Sequence, residues 1–381
     1  MELDDIEARV RTALAPLAPA DANVAFWGAR SNAGRSLPPY YLVYFLLVKL
    51  LRFNDLGRAE KVAFSIPIEF DGTIVMIEYR KFGLGIFIKC AADEVVAEEV
   101  AKRIHAAVKA AQPYFEALAD AAAKGSNLNV KNNARELFER FVYFADCYAA
   151  KSAEAEARKN ERIETTIPPS EGVSSGMMVK FPAFQLQREA LWYATAAIEA
   201  FYSWTEHVFI LVAILNGKIA TGEDVANAAG AEWKDKFKLA LGIADPKTKQ
   251  FYDRLILLRS QVRNFVAHGA FGKSGQALRF HSAVGAVPLL LPHRNRKEHF
   301  QFGNGVDFVP PEAMQLIHDF ISHLWSKDLS PAKIYIEAGL PLILSHVSDG
   351  EYARAMASDE EMADFTDYLS HLFDNAANMD W

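Results

Sequence analysis

An arginine, an asparagine and a histidine stand close together at Arg263, Asn264 and His268. These residue types suit phosphate chemistry. Breaking a phosphodiester has three needs: a base for the proton of the attacking hydroxyl, an acid for the leaving oxygen, and a cation for the charge that develops on phosphorus. Histidine titrates near neutral pH and can do the proton work. Arginine stays charged and presents a fork matched to phosphate oxygens. Asparagine can orient either of them without adding charge. On an ideal helix a five-residue offset turns through about 140°, so Arg263 and His268 share a face only if the helix loosens at its end. Gly269, directly after His268, offers such a stop. The spacing recurs at Arg294, Asn295 and His299. That second copy follows Pro292 in a highly charged stretch without an apolar face and reads as an exposed loop.

The elements that must position the first motif are helical. Apolar spacing predicts helices over 184–215, 231–241 and 247–268, with Thr221 capping a short helix that carries Asp224 in its first turn. A strand pair is expected within 277–291, and further helices over 310–325 and 358–375. The N-terminal part differs. Residues 62–70 and 74–79 alternate in polarity around Asp71-Gly72, the signature of a β-hairpin, and 84–89 supplies a third strand. Helices are expected over 3–17, 40–53 and 92–123, the last interrupted at Pro113, and over 130–160, where Lys151–Glu164 reads as a solvated helix end. The fold class expected is α+β and mostly helical: a small antiparallel sheet with helices first, a helical bundle after it. Thr165–Gly176 has linker composition. The predicted organisation is therefore 1–164, a linker at 165–180, and 181–381.

In this setting the motif resembles that of the HEPN superfamily, whose signature is often written Arg-Asn-x-x-x-His-Gly; Arg263, Asn264, His268 and Gly269 match it in turn. The stretch Glu199–Phe209 is similar to the family's first bundle helix, which often carries an inward acid, here Glu206. Trp233–Lys238 followed by Tyr252–Leu258 looks like the run-up to the signature. The resemblance covers about residues 185–272. It implies a helical bundle, a metal-independent endoribonuclease without cofactor, and a homodimer that brings two motifs to one cleft. Arg263 and His268 would be catalytic, with Asn264 and Glu206 in support, and Arg263 the expected partner of Glu206. Members often act as toxins or in phage defence, which implies a possible antitoxin or regulatory partner. Some members lack catalysis and serve as nucleotide-binding or interaction modules, and that is the alternative function.

Charge adds an argument independent of the family. The 381 residues hold 41 Lys and Arg against 48 Asp and Glu, a net −7 that excludes coating nucleic acid by bulk charge. Residues 231–281 nevertheless hold ten Lys and Arg against four acids, so this segment is +6 and the remainder −13. A basic patch on an acidic chain is the footprint of a polyanion site. Lys234, Lys238, Arg259 and Lys273 are the candidate RNA contacts.

Other candidates are weaker. Gly172–Gly176 matches Gly-x-Ser-x-Gly but sits in the linker, without the strand and helix that a nucleophile elbow needs. Asp319 and His323 are one helical turn apart, with His318 beside Asp319, but no third ligand stands at a telling spacing, so no metal site is assigned. His207 reads as a buried, hydrogen-bonded histidine. Gly83-x-Gly85 lacks the context of a dinucleotide loop. Cys90 and Cys147 exclude a disulfide scaffold. The acidic N-terminus has no signal-peptide pattern, and the apolar runs 40–48 and 207–215 are each about half of the ~20 residues a membrane span needs. A cytoplasmic location with no membrane contact is expected.

Overall fold

The computed structural model describes residues 3–21, 26, 28–167, 176–268, 278–290, 299–302 and 308–379, with backbone alone at 264–268, 290 and 327. The chain is α+β and mostly helical, with its five-stranded antiparallel sheet in the N-terminal part. It divides into two compact units: residues 1–125 with 367–381, and residues 126–366.

The first unit contains α1 (Leu3–Leu14), β1 (Ala18–Pro19), β2 (Ala29–Arg30) and α2 (Tyr40–Tyr44), which continues as a wider π-helical turn through Leu50. The strands β3 (Val62–Phe70), β4 (Thr73–Arg80) and β5 (Gly83–Ile88) follow, then α3 (Glu94–Ala110) and α4 (Gln112–Lys124). The sheet order is β1-β3-β4-β5-β2. Asp71 and Gly72 both have positive φ, 47° and 81°, as a two-residue hairpin turn requires. The turn sets Ile66 opposite Ile77. Ile66, Ile68, Val75, Ile77, Ile86 and Ile88 form one buried face, packed with Val10, Leu46, Leu47, Val100 and Ile104 from the helices. Pro113 ends the preceding helix as expected, lying in the first turn of α4. The two-residue edge strands β1 and β2 have no alternating pattern; backbone pairing alone defines them. Near the start of α3 the Glu94 carboxylate accepts hydrogen bonds from the Ala33 N–H and the Ser31 hydroxyl, which hold it below the usual carboxylate range.

The second unit begins with β6 (Asn129–Val130) and α5 (Ala134–Ala157). The strands β7 (Ile163–Ile167) and β8 (Gly176–Lys180) pair antiparallel and lead into α6 (Pro182–Leu215). Residues 165–180 therefore do not separate two domains. Residues 165–167 and 176–180 belong to the paired strands β7 and β8, which lie between two helices that pack along each other, with Phe138 on Trp204 and Lys151 bridged to Glu189 at 3.2 Å. Composition alone cannot separate a connection inside one unit from a linker between two. The end of α5 is solvated as expected, with Ala155 its one buried residue.

After α6 come α7 (Gly222–Gly230), α8 (Trp233–Leu241), α9 (Pro246–His268), β9 (Leu278–Ser282), β10 (Gly285–Leu290), β11 (Gln301–Phe302) and α10 (Pro310–Leu324). The unit closes with α11 (Ser330–Glu337), β12 (Leu342–Ile343), α12 (Ser345–Ser348) and α13 (Glu351–Ala355), and α14 (Asp359–Asn378) crosses the division at 366/367. Thr221 caps α7, accepting from the Asp224 N–H at 3.1 Å while Asp224 reaches back to the Thr221 N–H. α6 is the core helix, apolar on nearly every face. As a whole it is long and apolar enough to cross a membrane, a property its shorter greasy run does not reveal, and 72% of that window is buried inside the protein. Phe201, Phe209, Trp233, Phe237, Phe251 and Phe320 join α6, α8, α9 and α10 through ring contacts, mostly edge-to-face.

Candidate functional site

The motif lies at the C-terminal end of α9, against α6 and α8. Along α8 the residues Trp233, Lys236, Phe237 and Ala240 are buried at helical spacing, which draws one lysine into the apolar face. Lys236 is 6% exposed, and its ammonium donates to Glu206 Oε2 at 3.2 Å. The other carboxylate oxygen accepts from Arg259 Nη2 at 2.9 Å. One acid on α6 thus holds two cations. The partner of Glu206 is Arg259, not the expected Arg263. Both arginines lie within about 40° of each other on the helix, and Arg259 stands one turn nearer the acid.

Arg259 is held from below as well. Its guanidinium carbon lies 5.4 Å from the Tyr202 ring centre and 5.9 Å from that of Trp233. The Tyr202 hydroxyl donates to the Leu255 carbonyl at 2.7 Å, one turn before Arg259, and burial pushes that hydroxyl's pKa far up. Trp233 Nε1 donates to Thr205 Oγ1 at 2.9 Å, and Thr205 donates into α6. Only one guanidinium nitrogen of Arg259 bonds a carboxylate among the described residues, and the side chain is 36% exposed. The arrangement is an anchored cation with N–H groups left for an incoming anion.

Arg263 is exposed, one turn further along the same face. Its charge reaches Glu232, whose carboxyl is held low first by Lys234 and then by Arg259 and Arg263. The helix continues unbroken through His268. The loosened last turn expected at Gly269 is absent up to that residue, so the backbone keeps Arg263 and His268 about 140° apart. The side chains of Asn264 and His268 lie outside the described residues, as do Lys273, Gly269 and the Arg294–Glu298 copy. Among the other proposed RNA contacts, Lys234 is paired with Glu232 at 2.7 Å and Lys238 stands 5.3 Å from the Tyr252 ring centre. The acids inside the segment are already counted in the +6; from outside it, among the described residues, only Glu206, shared by Lys236 and Arg259, takes up one further charge. Among the described residues of the motif, Arg263 is the exposed charge.

Two cavities of this unit have other linings. One of about 350 Å³ is walled by Phe138, Trp204 and Trp325; the other, of about 600 Å³, by Thr248 and His323 among others. Neither is lined by Glu206, Arg259 or Arg263. In the second cavity the Thr248 hydroxyl donates to Asp245 at 2.8 Å, so His323 Nε2–H donates to Thr248 at 2.9 Å. Burial, with Lys247 nearby, pulls the His323 pKa down. Asp319 accepts from Gln315, and His318 packs on Phe141. No group of three or more His, Cys, Asp or Glu among the described residues is arranged to hold a metal ion. His207 Nε2 accepts from the Asn133 N–H at 2.9 Å, and burial lowers its pKa.

Sequence spacing places Glu206 in an apolar helix and so signals a partner. The burial of Lys236 is also signalled, by its i+3 spacing from Trp233. What spacing lacks is the relative height of α6 and α9, which decides between Arg259 and Arg263. Compared with family models, curated proteins and solved structures, the chain matches none.

Proposed function

We propose that the second unit is a HEPN-like endoribonuclease that cleaves RNA by 2′-hydroxyl attack. The observation that carries this reading is the pair of arginines one turn apart at the end of α9. Arg259 is fixed by Glu206 over two rings, and Arg263 is exposed beside it. Arg263 offers its charge to the scissile phosphate. His268, the last residue of the same helix, moves the protons, and Asn264 orients. Glu206 acts through Arg259 and Lys236 as a positioning residue and does not touch the phosphate.

The angle of about 140° between Arg263 and His268 favours a cleft completed by a second copy. The RNA-cleaving species is therefore a homodimer in which each cleft takes residues from two α9 helices. A cytoplasmic toxin or phage-defence effector, held by a regulatory partner, is the biology this reading carries with it. The alternative is a non-catalytic nucleotide-binding or interaction module. The Glu206–Arg259–Lys236 cluster favours it, since an anchored Arg259 with N–H groups left over can hold an anionic ligand without any proton transfer.

RNA cleavage in EDTA by wild type, Arg263→Ala and His268→Ala tests the two. The nuclease reading expects cleavage that both substitutions abolish. Binding of RNA without turnover in all three supports the module.

A further inference from the structure

The first unit holds a recess of about 390 Å³ lined by Arg30, Gly34, Arg35, Tyr40, Tyr79 and Gly83 among others, with no acidic residue in its wall. That volume falls in the range of small-molecule sites, about 300–1,000 Å³. Arg30 is an exposed residue, yet its guanidinium is fixed: Nη1 donates to the Phe82 carbonyl at 3.2 Å and Nη2 to the Leu84 carbonyl at 2.5 Å. Both acceptors are neutral, so the charge is positioned without being cancelled. The two glycines that sequence spacing brings to notice make room for it. A Cβ at Gly85 would stand 2.8 Å from Arg30 Nε, and Gly83 has a positive φ of 100°. Gly34 is pressed on the Ile86 backbone, where a Cβ would meet the amide nitrogen at 2.4 Å. Arg35, next in the chain, is exposed and bonds no carboxylate among the described residues. The Glu94 carboxylate near this loop is committed to Ser31 and Ala33.

Aromatic surface lies beside the two cations. Tyr40 stacks on Tyr79 with ring centres 4.1 Å apart and planes within 3°, and Tyr40 remains 43% exposed. Positioned guanidinium groups match a phosphate. A stacked, exposed ring matches a planar base. One ligand class combines the two in a recess of this size. We propose that this recess binds a nucleoside phosphate, its phosphate between Arg30 and Arg35 and its base against Tyr40. The site is independent of the chemistry assigned to the second unit.

Calorimetric titration of the full chain with adenosine 5′-monophosphate, adenosine and inorganic phosphate tests it. The monophosphate should bind at least about tenfold more tightly than either fragment. Arg35→Ala and Tyr40→Ala should each weaken it by about tenfold or more, while Tyr40→Phe, which keeps the stack, should stay within about twofold. Arg35 is exposed and makes no contact that folding needs, so loss of binding in that variant is not a folding effect. No binding of the monophosphate by wild type would overturn the proposal, as would equal affinity for adenosine or unchanged affinity in Arg35→Ala.

Discussion

Glu206 is the residue on which the local electrostatics turn. Removing it leaves Lys236, almost wholly buried, without its carboxylate. Stranding a buried charge is expensive, and the partial exposure of Glu206 moderates the cost. Glu206→Ala should lower stability by roughly 2 kcal/mol, measured by urea denaturation. Adding Lys236→Met should recover most of that loss, because the uncompensated charge is then gone. His207 sets a pH dependence. Its neutral ring accepts the Asn133 N–H, and its pKa is lowered in the fold. The unfolded chain therefore binds the proton more readily, so stability is complete above the ordinary histidine pKa of about 6.5 and falls as pH drops below it. Replacing His207 with Gln should flatten the fall in denaturation midpoint between about pH 6.5 and 5. An unchanged slope would show that His207 is not its source. At this scale the sequence is informative about residue type: an acid in an apolar helix and a lysine spaced onto a buried face both announce partners. It does not say which arginine answers, because Arg259 and Arg263 share one helix face.

Among elements, α9 does the most. It is long enough to carry both the anchored Arg259 and the exposed Arg263, and Tyr202 fixes it to α6 at Leu255. Arg263 should contribute about one phosphate contact, so Arg263→Ala should reduce the log–log salt slope of RNA binding by about 0.7. Arg263→Lys should keep the slope but not the cleavage rate, since a point charge does not reproduce the fork. The capping box at Thr221 gives a control on local stability away from the motif: Thr221→Ala should cost about 1 kcal/mol, read from the urea midpoint. Elements with a strong period or a named cap are legible in the sequence: the hairpin at Asp71-Gly72, the break at Pro113, and α6 through α10. The two-residue strands β1, β2, β6 and β12 are not, because backbone pairing with distant residues defines them.

For the whole molecule, the division falls at residue 125/126 and again at 366/367, far from the linker-like stretch at 165–180. Local composition reports chain exposure and turn chemistry, whereas a unit boundary depends on which long helices pack together. The packing of α5 along α6 is a long-range fact of that kind. The acidic whole and the basic 231–281 segment remain compatible with an RNA substrate, although Glu206, from outside the segment, is shared by Lys236 and Arg259 and takes up one of its six net charges. Sedimentation should show a dimer at micromolar concentration if two α9 helices form each cleft. Incubating a 5′-labelled single-stranded RNA with the full chain in EDTA, alongside Arg263→Ala and His268→Ala, tests the endoribonuclease reading most directly. Wild-type cleavage should leave 2′,3′-cyclic phosphate ends on the labelled upstream fragments and fall by about 100-fold or more in each variant. Cleavage that survives both substitutions, or no cleavage by the wild type under any condition, would contradict that reading.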